Sequence, residues 1–543
     1  MLPRADSFEA IRRVFRWEVP AAFNLSVACC TRHARRGDAP ALIELRPDGS
    51  AHTHGFRDLE RGASRLANLL AAEGFDRGDR LGILLGQRVE TLLAHLACAK
   101  LGGIAVPLFQ LFGPDALEYR LQNSAARVLV TDMAGAGKLA AIRDRLPALE
   151  RIWCVDGAAA GTEPLAPAMA RAADSREAVA TAADDPALII YTSGTTGPPK
   201  GALHAQRVLL GHLPGVQMPQ EQFPQAGDRF WTPADWAWIG GLLDVLLPSL
   251  YFGVPVVAGP GGRFDPEAAL ALMARHEVRN VFMPPTALRL MASAGIEAHA
   301  APVRLRSMGS GGEPLGDALV DWVRGTFDIG VNEFYGQTEA NLLVSSMQSL
   351  LPRRSGAMGV PVPGHDVAVI DGEGRRLPAG EAGDIAVRRP DPVMFLRYWN
   401  NPEATAAKFR GDWLVTGDIG RADSDGWLTF VGRSDDLINN SGYRIGPAEI
   451  EECLCRHPAV ALAAVIGVPD EIRGERIKAF LVTRPGIAAG DALADELRAH
   501  VRTRLAAHEV PRDIAFVDAL PLTATGKVVR AELRRLERER LGR

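Results

Sequence analysis

The chain has 543 residues, of which 47% are hydrophobic and 23% charged, the balance of a soluble globular protein too long for one compact core. A formal net charge of −4 gives no sign of a polyanionic partner such as nucleic acid. The cysteines, Cys29, Cys30, Cys98, Cys154, Cys453 and Cys455, form no CxxC pair, which argues against a zinc site or disulfide framework and for a reducing, cytoplasmic home.

The N-terminal segment MLPRADSFEAIRRVFRWEVP has no apolar stretch of the secretion-signal kind. RDLERGASRLANLLAAEGF (57–75) carries apolar residues at helical spacing, and RLGILLG (80–86) reads as a strand. ETLLAHLACAKLGG (90–103) predicts a helix stopped by glycine, while IAVPL, ARVLVTD (126–132) and RIWCVDG (151–157) predict strands. This rhythm implies crossover units and largely parallel sheets covered by helices. Residues 133–185 are rich in Ala and Gly and read as peripheral. The most apolar window, IGGLLDVLLPSLYFGVPVVAG (239–259), is interrupted by Asp244, Pro248, Gly253 and Pro255, so it predicts a buried helix and then a buried strand rather than a membrane span. From about 355 to 432, DVAVID and GDIAVRR are short alternating strands joined by turn residues, which suggests a small β-rich subdomain. Beyond GRSDD (432–436) the pattern resets: a helix opened by Pro447, strands at ALAAVIGV and IKAFLVT, a helix at ALADELRAHVRTRLAAH and a last strand at DIAFVD. The predicted domains are residues 1–432 and 437–543, joined at 433–436.

ALIIY (187–191) is a buried-strand pattern that runs straight into the loop of YTSGTTGPPKG (191–201). Glycines let backbone N–H groups converge on one point, hydroxyls add donors and Lys200 adds charge, so a polyphosphate is the expected guest. The Walker pattern fails, because Lys200 follows two prolines and precedes Gly201.

YTSGTTGPPKG resembles the signature phosphate loop of the adenylate-forming superfamily, which includes acyl-CoA synthetases, luciferases and peptide-synthetase adenylation domains. GSGGEPL (309–315), FYGQTEAN (334–341), WLVTGD (413–418), GRSDD, SGYRIGPAEIE (441–451) and PLTATGKVVR (521–530) resemble further motifs of that family, in its order. The resemblance implies an α/β fold: a large N-terminal domain of two helix-covered sheets plus a β-rich subdomain, followed by a small mobile C-terminal α/β domain. It also implies two half-reactions, attack of a carboxylate on the α-phosphate of ATP and then displacement of AMP by the thiol of coenzyme A. Positioning and charge neutralisation carry such chemistry, without a protein nucleophile.

The same resemblance implies the roles. Ser193, Thr195, Thr196 and Lys200 would hold the β- and γ-phosphates, Thr338 the α-phosphate and Glu339 a Mg²⁺ ion, with Thr192, Gly194, Gly197 and Gln337 also binding ATP or AMP. Gly312, Glu313 and Pro314 would flank the adenine, with Asp418 and Arg433 on the ribose. Asp435 would be the hinge, and Lys527 the mobile lysine that reaches the carboxylate and α-phosphate, where its acylation would switch the enzyme off. Gly442, Tyr443, Arg444 and Arg502 would meet CoA. Three places speak to the acyl pocket: Gly311, Gly336, where acetate-specific relatives carry a capping Trp, and Trp238, Ile239 and Gly240 in WTPADWAWIGGL (231–242). Removing a Trp would open space for several methylenes, each worth about 0.8 kcal/mol if buried. The strings look most like medium-chain acyl-CoA synthetases, which also take branched and aromatic acids, and disfavour acetate. At QTEAN the chain departs from the family, where Thr-Gly usually follows the glutamate, so Ala340 and Asn341 border the pocket unusually. Two other readings remain: delivery of the acyl group to a carrier protein or another acceptor, and a non-catalytic nucleotide-binding regulator.

Overall fold

The computed structural model describes the chain apart from residues 47, 193–197, 260, 263, 435, 441–442, 471–473, 506–508, 524–526 and 541–543, and without the side chains at 439, 443 and 444. The described residues form four sheets. A nine-stranded sheet has a parallel centre in which Phe230–Trp231, Asn280–Phe282, Ser307–Gly311 and Val331–Gln337 lie side by side. An eight-stranded sheet is likewise parallel through Arg80–Leu84, Ile104–Pro107, Val128–Thr131 and Arg151–Cys154, with antiparallel strands only at one side. The parallel strands of this second sheet match those that the sequence predicts at RLGILLG, IAVPL, ARVLVTD and RIWCVDG.

Helices fill the space between the two sheets because their apolar residues fall on one face. In Phe56–Ala72 the buried positions are Phe56, Leu59, Ala63, Leu66, Ala67 and Leu70, a three-to-four repeat. Val89–Lys100 is buried on nearly every side, as expected of a helix sandwiched between layers. The window 239–259 does form a buried helical segment and a buried strand, but its middle, Leu242–Leu246, is a π-helical turn that carries Asp244 inward.

The β-rich region forms its own five-stranded antiparallel sheet, including Trp413–Ala422 and Leu428–Arg433. The fourth sheet is built wholly from residues after 437, with Pro447–Cys455 and Asp491–Arg504 packed on it. Among the described residues no helix is long and apolar enough to cross a membrane. All six cysteines are free thiols, five of them buried.

Candidate active site

The site follows from the parallel strands. Ligands in open α/β sheets gather beyond the carboxyl ends of the strands, where side chains of successive loops converge. Here WTPADWAW follows Phe230–Trp231, the Glu-Pro turn follows Ser307–Gly311, and the QTE segment follows Val331–Gln337. Strand Pro186–Thr192, from the other sheet, ends at Thr192 and returns antiparallel as Lys200–Ala205, with Thr192 opposite Lys200. The glycine-rich segment therefore joins two strands, unlike a Walker loop, which leads into a helix. Its residues Ser193, Gly194, Thr195, Thr196 and Gly197 lie outside the described residues, as do Asp435 and Gly442 and the side chains of Tyr443 and Arg444.

Asp418 is the centre of the polar cluster. It is almost fully buried and accepts hydrogen bonds from Tyr335 Oη at 2.6 Å, Gln337 Nε2 at 2.6 Å and Arg433 Nη1 at 2.9 Å. The TGD motif explains its placement. Thr416 Oγ1 accepts the Asp418 N–H while donating to the Ile385 carbonyl, and Gly417 turns the strand at φ +81°, a conformation that suits glycine. Strand pairing sets Asp418 directly opposite Arg433. Burial, and then the Asp418 carboxylate, push the Tyr335 phenol well above its usual range, so it stays a donor.

Glu339 lies beside this cluster, also buried, and accepts a short hydrogen bond from the Tyr398 hydroxyl. Tyr398 is fixed three ways. It pairs with Ala202 across the strand that begins at Lys200, its N–H donates to Thr405 Oγ1 at 3.0 Å, and the helix Pro402–Ala407 that supplies Thr405 is capped by Asn401. The Lys200 ammonium sits 5.4 Å from the Tyr398 ring centre, within cation–π reach. Lys408 donates to Gln337 Oε1 and to the carbonyls of Val415 and Thr416 at 3.1–3.3 Å. Burial lowers its pKa, and Glu339 opposes that shift.

Lys527 comes from the small domain. Its main chain is tied to Thr523, whose N–H donates to the Lys527 carbonyl and whose Oγ1 accepts the Lys527 N–H, and its Nζ comes within 3.8 Å of a Cβ built on Gly312. The residue keeps solvent contact overall, yet the cleft desolvates its ammonium and lowers its pKa, with Glu313 and Asp418 acting in the opposite sense. Glu313 itself turns to Arg289, at 2.8 Å, and to Thr286, leaving Gly312 to face the lysine. Arg456 of the small domain meets Asp317 of the large one at 3.4 Å beside this turn. Lys200, Lys408, Arg433 and Lys527 thus face Glu339 and Asp418, a cationic balance suited to a polyphosphate.

A Cβ on Gly336 would lie 2.4 Å from the Leu342 nitrogen and 2.7 Å from Asn341 Cα, and one on Gly311 would lie 2.5 Å from the Phe334 carbonyl oxygen. Both glycines are therefore required by close main-chain approach, and their smallness does not by itself describe a wide pocket. Gly240 differs: its missing side chain faces the Phe282 ring and Asp244 Oδ2. Trp238 packs against Phe109, with ring centres 5.3 Å apart, whereas Trp236 is fully buried. Arg502 is exposed on the last turn of Asp491–Arg504, and no contact among the described residues joins it to the cluster. Sequence reasoning did not single out Tyr335, Tyr398 or Lys408. Tyr335 stands inside the quoted FYGQTE string and Tyr398 in the aromatic RYWNN; Lys408 carries no motif at all.

Residues 30–399 match the family of AMP-binding enzymes, and residues 449–527 match the AMP-binding enzyme C-terminal domain. The chain belongs to the AMP-binding enzyme family. It is 35% identical to the acetyl-coenzyme A synthetase of Bacillus subtilis (strain 168), over 89% of this chain and 85% of the relative. It is 34% identical to the human mitochondrial acyl-coenzyme A synthetase ACSM2B, over 95% of this chain and 91% of that protein. Among solved structures it resembles the anthranilate CoA ligase AuaEII in complex with anthranoyl-AMP, with a TM-score of 0.89, 30% identity, and coverage of 97% of this chain and 99% of that one. The chain is an acid–thiol ligase of the AMP-forming acyl-CoA synthetase type, whose co-substrates are ATP and CoA, with Mg²⁺. Mg²⁺ takes oxygen ligands, of which proteins commonly supply one or two carboxylates and the substrate phosphates others. Glu339 fits that part: its Oε1 is engaged by Tyr398, its Oε2 has no partner among the described residues, and those residues gather no cage of three or more metal-ligating side chains.

Proposed function

We propose that the enzyme activates a short- or medium-chain, branched or aromatic carboxylic acid, in preference to acetate, and transfers it to CoA. The observation that carries the reaction order is the Lys527 ammonium at Gly312, beside the Asp418–Arg433 pair. A lysine held there neutralises charge as the acid attacks the α-phosphate. In this reading Asp418 and Arg433 hold the ribose, and Gln337 and Thr338 the α-phosphate side. The Gly312–Pro314 turn borders the adenine, and Ser193, Thr195, Thr196 and Lys200 grip the departing pyrophosphate. Glu339 would hold a Mg²⁺ ion, whose chemistry there would be charge neutralisation of the phosphates. Domains at 1–432 and 437–543 rotate about Asp435, which withdraws Lys527 and brings Gly442, Tyr443, Arg444 and Arg502 to the CoA. Acylation of Lys527 would then silence the first half-reaction alone. The free thiols suit a cytoplasmic setting. The lack of a side chain at Gly240, beside the aromatic Phe282, supports an acid larger than acetate.

An acid panel assayed with CoA, ATP and Mg²⁺, read as thioester by mass spectrometry, tests the reading. A larger acid should exceed acetate in kcat/KM, and acetate as the best substrate would overturn the acid class. AMP release with a phosphopantetheine carrier protein but none with CoA would instead favour delivery to a carrier.

A further inference from the structure

The acyl side of the site contains a polar pair that the chemistry common to all acids does not need. Asp244 and Asn341 are both about 5% exposed, and Asn341 Nδ2 donates to Asp244 Oδ1 at 2.7 Å. The pair is set among apolar residues: Leu242, Leu243, Val245 and Leu246 share the Asp244 turn, and Leu342 and Leu343 follow Asn341. A buried carboxyl in such surroundings is costly unless something compensates it. One hydrogen bond to a neutral amide satisfies only half of it. Asp244 Oδ2 and Asn341 Oδ1 have no hydrogen-bond partner among the described residues.

These two oxygens lie beside Gly240 and Gly336. Asp244 Oδ2 lies 3.5 Å from the Cβ that Gly240 lacks, and Asn341 Oδ1 lies 2.7 Å from the Cβ that Gly336 lacks. The backbone is irregular at both partners. Asp244 stands in a π-helical turn, a distortion frequent at functional sites, and Leu342 beside Asn341 has φ +54°, a conformation that is strained for leucine. Burial raises the Asp244 pKa well above the usual carboxylate range, which favours the protonated carboxyl. The pair then offers one donor, on Asp244, and one acceptor, on Asn341. That set complements a neutral hydroxyl or amino group, which both gives and takes a hydrogen bond.

Resting on the acyl-CoA synthetase reading, we propose that Asp244 and Asn341 select an acid that bears a neutral hydroxyl or amino group at the end remote from its carboxylate. Thr338, expected at the α-phosphate, and Asn341 are three residues apart, which bounds their main-chain separation at about 10 Å. A singly substituted aromatic acid, or a six-carbon chain with a terminal hydroxyl, spans such a distance. A site built to hydrogen-bond a substrate rejects the analogue that leaves its polar groups unpaired, far more strongly than it notices one methylene.

The test compares acid-dependent pyrophosphate exchange for benzoate against 3- and 4-hydroxybenzoate and 3- and 4-aminobenzoate, and for hexanoate against 6-hydroxyhexanoate. The full-length protein and its Asp244→Leu, Asp244→Asn and Asn341→Gly variants are assayed. The unmodified enzyme should prefer at least one donor-bearing acid over its parent by about tenfold or more in kcat/KM. Asp244→Leu and Asn341→Gly should collapse that ratio, while the near-isosteric Asp244→Asn should retain most of it. A preference for the unsubstituted parents, or a ratio unmoved by Asp244→Leu in a folded variant, would overturn the proposal while leaving the enzyme an acyl-CoA synthetase. Exchange with no acid at all would remove the underlying reading, and the proposal with it.

Discussion

The two ends of the substrate cleft are built on opposite principles. On the side proposed for the nucleotide, the buried Asp418 is surrounded by Tyr335, Gln337 and Arg433, which hold it in place before anything binds. On the acyl side the buried carboxyl of Asp244 has a single neutral partner and is pushed toward its protonated form. The first arrangement suits a ligand that never changes, because preorganised groups need no rearrangement when it arrives. The second suits discrimination, because a half-satisfied group penalises every ligand except one that completes it.

This contrast can be broken in several ways, taken from the largest expected effect down. Lys527→Ala should reduce adenylation, measured by pyrophosphate exchange, by about 10²-fold or more, the scale of losing one aimed charge or donor. Thioester formation from supplied acyl-AMP should survive, and equal loss of both steps would refute the assignment of Lys527 to the first. Asp418→Asn should raise the KM for ATP by about 10- to 100-fold, since charge-assisted bonds to Arg433, Tyr335 and Gln337 weaken together. Its ratio of kcat/KM between two acids should stay put; a changed ratio would mean that the two ends are not independent. Tyr398→Phe removes the donor on Glu339 and should raise the Mg²⁺ concentration for half-maximal adenylation by about tenfold, as loss of an outer-shell partner does. A Mg²⁺ titration superposing on that of the parent enzyme would show that Tyr398 only packs.

The smallest effect concerns pH. Desolvation lowers the Lys527 pKa from the ordinary lysine value of 10.5, so the charge needed for adenylation is full at low pH and is lost as pH rises through that lowered value. Adenylation should therefore show an alkaline limb below 10.5 that CoA transfer from acyl-AMP lacks. Matching profiles for the two steps would contradict it.

The nucleotide side was legible in the sequence because its parts are contiguous. TGD carries its own strand turn in Gly417 and its own cap in Thr416, and the Glu-Pro and QTE segments sit directly on strand ends. Strand and helix identities were legible for the same reason, as local periodicity. The second halves of these interactions were not. Tyr398 reaches Glu339 across 59 positions and Asn341 reaches Asp244 across 97, so each contact exists only after the sheets have stacked. The π-helical turn that aims Asp244 inward leaves no periodic trace over Leu242–Leu246. Gly336 shows a subtler limit. Its type was readable, but the reason for it, the approach of the Leu342 main chain, was a matter of tertiary geometry.

On the proposed rotation of the small domain, placing the Lys527 ammonium in a desolvating cleft makes the proton an effector of domain orientation. An amine whose pKa is lower when docked than when free binds protons less well in the docked state, so docking releases them. Raising the pH then draws the small domain toward the lysine-in orientation while discharging the group that makes this orientation useful. Occupancy and competence thus move in opposite directions with pH. A bound carboxylate and α-phosphate reverse the trend, because their negative charge restores the docked ammonium. The substrates themselves complete the electrostatic conditions under which the closed enzyme can act.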